Sequence, residues 1–310
     1  MDHELDYTLI EGERRERLLA RGCRLAWSWL PARRPESAGA IVYLHGVASN
    51  GSRWEEFAEK TRLRERWDMI RLDLRGHAAS EYDGRARLED WCRDVADILD
   101  AAGQDRAVVV GHSLGAQVAM RFAASYPGRT RGAVLVDPLV DAALTPYAAR
   151  QYAKRPYLKA AEKAGRLALK AGLGARLKRQ DLRAMDARAR RKIAAGGKEL
   201  EDFVRDYSSA ANDLQYITLA AYARDLLEVG RETPPAEALA CPALVIGADS
   251  GTYTDAGAMR RWVGGLRDGQ FATVHCRHWP VTECLEEIMD VVEGWFALRL
   301  EGETPGENPS

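Results

Sequence analysis

The hydrophobic residues up to Asp137 follow two different periodicities along the chain. Short, mostly apolar runs, typical of buried strands, occur at residues 23–30, 40–46, 69–74, 107–112 and 132–137. Stretches with apolar residues at three- and four-residue steps, typical of amphipathic helices, occur at residues 52–67, 87–103 and 115–128. Apolar strands that alternate with such helices predict an α/β fold with a mostly parallel central sheet and helices on both faces.

This alternation stops after Asp137 and resumes only toward the carboxyl end. Residues 139–236 contain no strand-like run and are rich in alanine, lysine and arginine at helical spacing. Strand-like and helix-like stretches return at residues 242–249, 256–266, 271–276 and 284–300. We therefore predict an α/β core (1–138 and 237–300), an inserted helical cap (139–236) and a disordered polar tail (301–310).

Composition and charge restrict the function classes. The 310 residues are 46% hydrophobic, enough for a substantial core, and the formal net charge of −1 gives no overall attraction to nucleic acid. The charged amino terminus has no signal-peptide pattern and no run of 18 apolar residues exists, so we expect a cytoplasmic protein. Scattered cysteines without C-x-x-C spacing are typical of reduced thiols, and neither a nucleotide-binding nor an H-E-x-x-H pattern occurs. We therefore expect no cofactor and no metal.

Ser113 is the strongest candidate for catalytic chemistry. It lies in Gly111-His112-Ser113-Leu114-Gly115, directly after a run of valines and before an amphipathic helix. A G-x-S-x-G pattern alone arises often by chance, but a strand-to-helix turn is the context that a serine nucleophile needs. The free N–H groups of the following helix would face negative charge that develops there. We interpret Ser113 as a nucleophile rather than an ordinary turn serine.

A serine nucleophile needs a histidine base within hydrogen-bonding distance. Four of the six histidines belong to earlier motifs or to the amino terminus, namely His3, His45, His77 and His112. The other two are His275, inside a strand-like run, and His278, which follows it. The strand pattern favours packing for His275 and leaves His278 as the better base.

Ordered motifs link the chain to a known family. They are His45-Gly46, Asp73-Leu74-Arg75-Gly76-His77, the pentapeptide around Ser113, and His278-Trp279-Pro280. With them, residues 25–300 resemble the α/β-hydrolase superfamily, in its serine esterase- and lipase-like branch with a helical cap. The ending RHWPVTE is similar to the family's G-H-W-P-H-x-E, which implies that His278 is the base. The resemblance also implies an oxyanion hole from the backbone N–H groups of Val47 and Leu114.

The acid of the triad is the least well defined residue. The family commonly has G-x-x-D after the strand at residues 243–247, whereas this chain has Asp249 one position early. Asp137, at the end of an earlier strand, is the position used by some relatives, and Asp255 is a third candidate. We predict Asp249 first. Ala78, where the family usually has glycine, predicts a loop without a positive φ.

These residues predict a cofactor-independent serine hydrolase that cleaves a small-molecule carboxylic ester through an acyl-enzyme. Lipid esters and esters with a medium or long acyl chain are among the expected substrates. A lactonase, a thioesterase or an acyltransferase could use the same triad. The alternative from another class is a ligand-binding protein on the same fold that hydrolyses little, which a displaced Asp249 would favour.

The predicted cap is strongly basic. Residues 150–198 contain 16 Lys or Arg and only three acidic residues. One interpretation is a solvated outer face. A second is a surface that associates peripherally with anionic membranes, and a third is attraction of an acidic substrate or partner. Few aromatic residues interleave with the charges, which argues against nucleic-acid binding.

Overall fold

A computed structural model of the protein describes residues 9–173, 177–178 and 180–302. Its centre is an eight-stranded sheet in the order β1-β2-β4-β3-β5-β6-β7-β8. The strands are β1 (Arg14–Ala20), β2 (Cys23–Leu30), β3 (Ala40–Leu44), β4 (Asp68–Leu72), β5 (Ala107–His112), β6 (Thr130–Val136), β7 (Ala243–Ala248) and β8 (Gly269–Val274). Strand β2 is antiparallel to both neighbours, and β3 to β8 pair in parallel.

Helices cover both faces of this sheet. They are α1 (Glu55–Lys60), α2 (Leu88–Ala101), α3 (Leu114–Ser125), α4 (Pro146–Tyr152), α5 (Arg155–Lys170), α6 (Leu182–Ala195), α7 (Gly197–Tyr207), α8 (Ala210–Asp213), α9 (Leu219–Val229), α10 (Ala256–Val263), α11 (Pro280–Glu283) and α12 (Leu285–Phe296). Alternate β3 residues enter different hydrophobic clusters, Val42 packing with α2 and α3 and Ile41 packing with α1 and α12. The predicted α/β fold with a mostly parallel sheet is confirmed.

Helices α4 to α9 all lie between β6 and β7, in the segment predicted to be helical. The division of the chain into a core and a cap stays a prediction, because the order of elements does not by itself define a domain. Most of the predicted polar tail, residues 303–310, lies outside the described residues. No helix in the described ranges is long and apolar enough to cross a membrane.

Two elements differ from the prediction. The expected helix at 52–67 is divided into a 3-10 turn (Gly51–Trp54), helix α1 and a second 3-10 turn (Arg62–Glu65). The break is at Thr61, which is extended and whose hydroxyl accepts the N–H of Leu63 and donates to Glu293. Strand β1 was not predicted, because it is an edge strand of largely exposed residues without an apolar run.

The loop after β4 also differs from the expectation. Ala78 has a φ of +39°, so the prediction that alanine keeps this loop out of the positive-φ region is wrong. The turn around it is closed by hydrogen bonds from the Gly76 N–H to the Ser80 carbonyl and from the Ala79 N–H to the Asp73 carboxylate. These bonds hold the alanine in a conformation that costs roughly 1–3 kcal/mol for a residue with a side chain.

Two glycines allow β5, α3 and β3 to approach closely. A Cβ at Gly115 would lie 2.2 Å from the carbonyl oxygen of Leu44, and one at Gly111 would lie 2.1 Å from the Gly115 carbonyl oxygen. No side chain fits at either distance. The glycines that flank Ser113 are therefore required by packing between the strand and the helix.

We expect Gly115→Ala to lower the free energy of unfolding by about 2 kcal/mol or more, because the new methyl group meets rigid backbone. Gly294→Ala is the matched control, since a Cβ at this exposed position of α12 has no atom within 4 Å. Urea unfolding of both variants measures the difference. Equal stability of the two would contradict the close approach.

Candidate active site

Ser113 lies at the turn between β5 and α3, in a strained backbone conformation. Its φ is +54° and its ψ is −114°, and a serine adopts such values only when its surroundings enforce them. The Ser113 N–H donates to the Val136 carbonyl at 3.1 Å, and its own carbonyl accepts the N–H groups of Ala116 and Gln117. These bonds fix the serine at the first turn of α3, where the helix dipole favours negative charge.

The structure brings His278 to the serine. His278 Nε2 lies 3.3 Å from Ser113 Oγ, and the histidine occupies the loop between β8 and α11. His275, the other candidate, has a side chain that is 92% exposed and pairs with Asp249. The choice of His278 over His275 thus agrees with the geometry.

The acid beside His278 is Asp137 rather than Asp249. Asp137 Oδ2 lies 2.5 Å from His278 Nδ1, and Asp137 is buried directly after β6. Asp249 instead accepts hydrogen bonds from His275 Nδ1 and from the Cys276 N–H, and the expectation that it meets His278 is wrong. Asp255 caps α10 by accepting the Ala258 N–H.

Strand register explains this correction. His112 of β5 pairs with Val136 of β6, so the next residues, Ser113 and Asp137, leave the sheet side by side. Ala248 of β7 pairs with Val274 of β8, which in the same way places Asp249 beside His275. Knowledge that β6 lies next to β5 would have favoured Asp137 as the partner of His278. The periodicity of hydrophobic residues does not reveal the order of strands in the sheet.

His112 is a site residue that the sequence reasoning did not identify. Its Nε2 lies 2.9 Å from the backbone carbonyl oxygen of His278. Burial, reinforced by the nearby His278, lowers the pKa of His112 to about 3. The imidazole is therefore neutral near pH 7 and donates its Nε2–H to that carbonyl, which holds the His278 backbone in place. Its only signal in the sequence is its position directly before Ser113.

The residues expected to form the oxyanion hole lie beside the serine. Leu114 is the first residue of α3, and Val47 lines the same cavity as Ser113. A Cβ on Gly46 would lie 3.5 Å from Ser113 Cβ, which shows how closely the loop after β3 passes. Within the described ranges neither the Val47 nor the Leu114 N–H donates to a protein acceptor. Both donors are thus free for a substrate oxygen.

His45 braces this loop. It is fully buried, its Nδ1 lies 2.8 Å from the Gly46 carbonyl oxygen, and its Nε2 accepts the Leu74 N–H at 3.0 Å. Burial holds the pKa of His45 well below its ordinary value. A neutral ring with its proton on Nδ1 satisfies both contacts, so His45 orders the loop and does not reach the serine.

A buried ion pair joins the inserted helices to the rest of the site. The Arg53 guanidinium contacts the Asp186 carboxylate of α6 and the Thr282 hydroxyl of α11. Asp186 also accepts hydrogen bonds from Tyr207 of α7 and from Thr282, each at 3.0 Å. These hydrogen bonds connect α6 and α7 to α11, the helix that follows His278.

Above the serine is a cavity of about 820 Å³. Ser113 and His278 lie in its wall, and most of the remaining lining comes from the inserted helices. Apolar and aromatic side chains among these residues include Tyr152, Leu158, Leu182, Phe203, Tyr216 and Leu226. Burial raises the pKa of Asp213, another lining residue, to about 6. The arrangement can hold a largely apolar ligand against the contacting side chains of Ser113, His278 and Asp137.

Comparisons with known proteins bear on the family to which the chain belongs. A family model described as the alpha/beta hydrolase fold matches residues 39–283. A 2-(acetamidomethylene)succinate hydrolase of Mesorhizobium japonicum is 32% identical over 119 residues, which are 38% of this chain and 40% of that protein. Lipase LipV of Mycobacterium tuberculosis is 32% identical over 106 residues, which are 34% of this chain and 40% of that protein. The matches thus span less than half of the length of either curated relative.

Similarity to solved structures supports the fold alone. A thermophilic esterase from Thermogutta terrifontis superimposes with a TM-score of 0.65 at 20% identity, covering 92% of this chain and 98% of that one. An identity this low carries no information about the substrate.

We expect His112 to make stability depend on pH. The unfolded chain takes up a proton near pH 6.5, whereas folded His112 does so only at about pH 3. Between these values the unfolded state binds the extra proton, so His112 lowers the free energy of unfolding by about 1.4 kcal/mol for each unit that the pH falls. His112→Asn should reduce the slope by that amount in urea unfolding between about pH 4.5 and 6. An unchanged slope would show that His112 titrates normally.

Proposed function

The chain belongs to the α/β-hydrolase family, and from this premise we propose that it is a cofactor-independent serine hydrolase acting on carboxylic esters. Family membership supports hydrolase activity in general. The proposal of an ester-cleaving triad depends on two contacts of His278. Its Nε2 lies 3.3 Å from Ser113 Oγ, and its Nδ1 lies 2.5 Å from Asp137 Oδ2.

The first step is attack on the ester carbonyl by Ser113 Oγ. As the new C–O bond forms, His278 Nε2 accepts the serine proton. The Asp137 carboxylate accepts the Nδ1–H of His278, which selects the tautomer whose Nε2 is free and stabilises the imidazolium as it appears. Asp137 thus positions and stabilises the base without taking its proton.

Negative charge then develops on the carbonyl oxygen of the substrate. We assign the stabilisation of this oxyanion to the N–H groups of Val47, which lines the cavity, and of Leu114, at the start of α3. Removing one such donor in other serine hydrolases costs about 3–4 kcal/mol of transition-state stabilisation. Because the Val47 donor belongs to the backbone, its position depends on the loop that His45 braces.

Collapse of the tetrahedral intermediate breaks the ester C–O bond. His278 returns the proton to the leaving alcohol, and the acyl group remains on Ser113. A water molecule, deprotonated by the same histidine, attacks the acyl-enzyme, and the carboxylic acid leaves with the serine regenerated.

The cavity supports an ester with a medium or long acyl chain. Its volume of about 820 Å³ lies in the range of pockets that enclose a drug-sized ligand, and aliphatic and aromatic side chains supply much of its lining. The displaced Asp249 favoured a ligand-binding protein that hydrolyses little. Since Asp137 pairs with His278, that reason no longer applies.

The direct test uses p-nitrophenyl esters with acyl chains from two to twelve carbons and a fluorophosphonate probe. We expect covalent labelling of the protein and a maximum of kcat/KM above four carbons. Ser113→Ala should abolish labelling and lower kcat by at least about 10⁴-fold. A folded protein that neither takes up the probe nor hydrolyses any of these esters would contradict the proposal.

A pair of variants identifies the acid. We expect Asp137→Asn to lower kcat about 10⁴-fold, because the histidine then loses the acceptor that fixes its tautomer. Asp249→Asn removes the same charge from a partly exposed carboxylate that contacts His275, and its activity should stay within about threefold of the unaltered protein. The reverse pattern would assign the role to Asp249.

A further inference from the structure

Helix α5 borders the active-site cavity and has two different faces. Leu158 on its inner face lines the cavity. Gly165 lies so close to α9 that a Cβ there would be 2.7 Å from the Ala220 nitrogen. The outer face has no such partner, because Tyr157 is 78% and Leu167 58% exposed.

Exposed hydrophobic side chains concentrate at this helix. Leu173, held against the end of α5 by a hydrogen bond from its N–H to the Ala168 carbonyl, is 75% exposed. With Tyr157 and Leu167 it makes three of the nine large hydrophobic residues that are exposed within the described ranges. Such clustering marks a surface that contacts something other than water.

Positive charge surrounds these side chains. Residues 154–170 contain six Lys or Arg and a single carboxylate, Glu162, which is near Arg85 and Arg166. Lys159, Lys163 and Lys170 are exposed at helical spacing with Leu167, and none has a carboxylate partner among the described residues. The face is therefore both apolar and uncompensated in charge.

The kind of cation points to the kind of partner. The two arginines of α5 turn toward the protein, Arg155 donating to the Gly230 carbonyl and Arg166 lying near Glu162. The outward cations of the helix are all lysines, which act as flexible point charges rather than as the planar forks that match a fixed carboxylate. Flexible charges beside scattered leucines suit mobile anionic headgroups better than a shaped protein surface.

We propose that the outer face of α5 binds the surface of an anionic lipid membrane. Tyr157, Leu167 and Leu173 enter the headgroup region, and Lys159, Lys163 and Lys170 pair with lipid phosphates. If this face binds the membrane, only the thickness of helix α5 separates the lipid from Leu158 in the cavity wall. Delivery of lipid esters to Ser113 rests on the proposed function, whereas the binding itself does not.

The experiment measures binding to vesicles in the Ser113→Ala background, so that its outcome is independent of hydrolysis. Sedimentation with vesicles of phosphatidylglycerol and phosphatidylcholine should show binding at about 20 mM NaCl that weakens at about 500 mM. Lys159→Gln, Lys163→Gln and Lys170→Gln together should weaken it on the order of 100-fold. Leu167→Gln with Leu173→Gln should also weaken it, and pure phosphatidylcholine should bind poorly.

The matched control removes three other exposed cations, by Arg24→Gln, Arg34→Gln and Arg267→Gln. It should change vesicle binding by no more than about threefold, with thermal unfolding showing that all variants are folded. Absence of vesicle binding at low salt would overturn the proposal, as would equal losses in the lysine and control variants. Binding to polyglutamate but not to vesicles would assign the face to an acidic peptide instead.

Discussion

The register between β5 and β6 is the constraint on which the site depends. Because His112 pairs with Val136, Ser113 and Asp137 leave the sheet at the same level on neighbouring strands. Both residues have a positive φ, +54° for the serine and +47° for the aspartate. The backbone N–H of each residue donates a hydrogen bond, that of Ser113 to the Val136 carbonyl and that of Asp137 to the Ile246 carbonyl. The sheet hydrogen bonds thus supply the energy that keeps two strained residues facing one histidine.

His278 comes from a loop, yet three contacts fix it. Its Nδ1 meets Asp137, its Nε2 meets Ser113, and its backbone carbonyl accepts a hydrogen bond from His112. The last contact originates from the residue before the nucleophile, so the position of the base is set by the same strand that presents the serine. Burial lowers the pKa of His112, so the ring that contacts the His278 carbonyl carries no positive charge near pH 7.

The sequence was sufficient for the fold and for the choice of Ser113 and His278 as the side chains that meet, because each depends on a local pattern. The acid was not predictable in this way. Asp137 and Asp249 both follow apolar strands, and only the pairing of β6 with β5 and of β7 with β8 decides which carboxylate reaches His278. Edge strand β1 and the break at Thr61 were missed for a related reason. Strand β1 pairs with β2 alone, and the break at Thr61 depends on a hydrogen bond to the distant Glu293. Neither feature produces a periodic pattern of hydrophobic residues.

Helix α6, which lines the cavity, is held to the core by ion pairs with α1 and by one buried ion pair with Arg53. Arg53 lies on the core side of the cavity and Asp186 on α6, and leaving either charge unpaired in the interior would cost about 3–5 kcal/mol. A buried pair contributes little net stability compared with apolar packing, but it penalises every alternative position of α6. Thr282 bonds to the same carboxylate only four residues after His278. The ion pair therefore couples the position of α6 to that of the segment that follows His278.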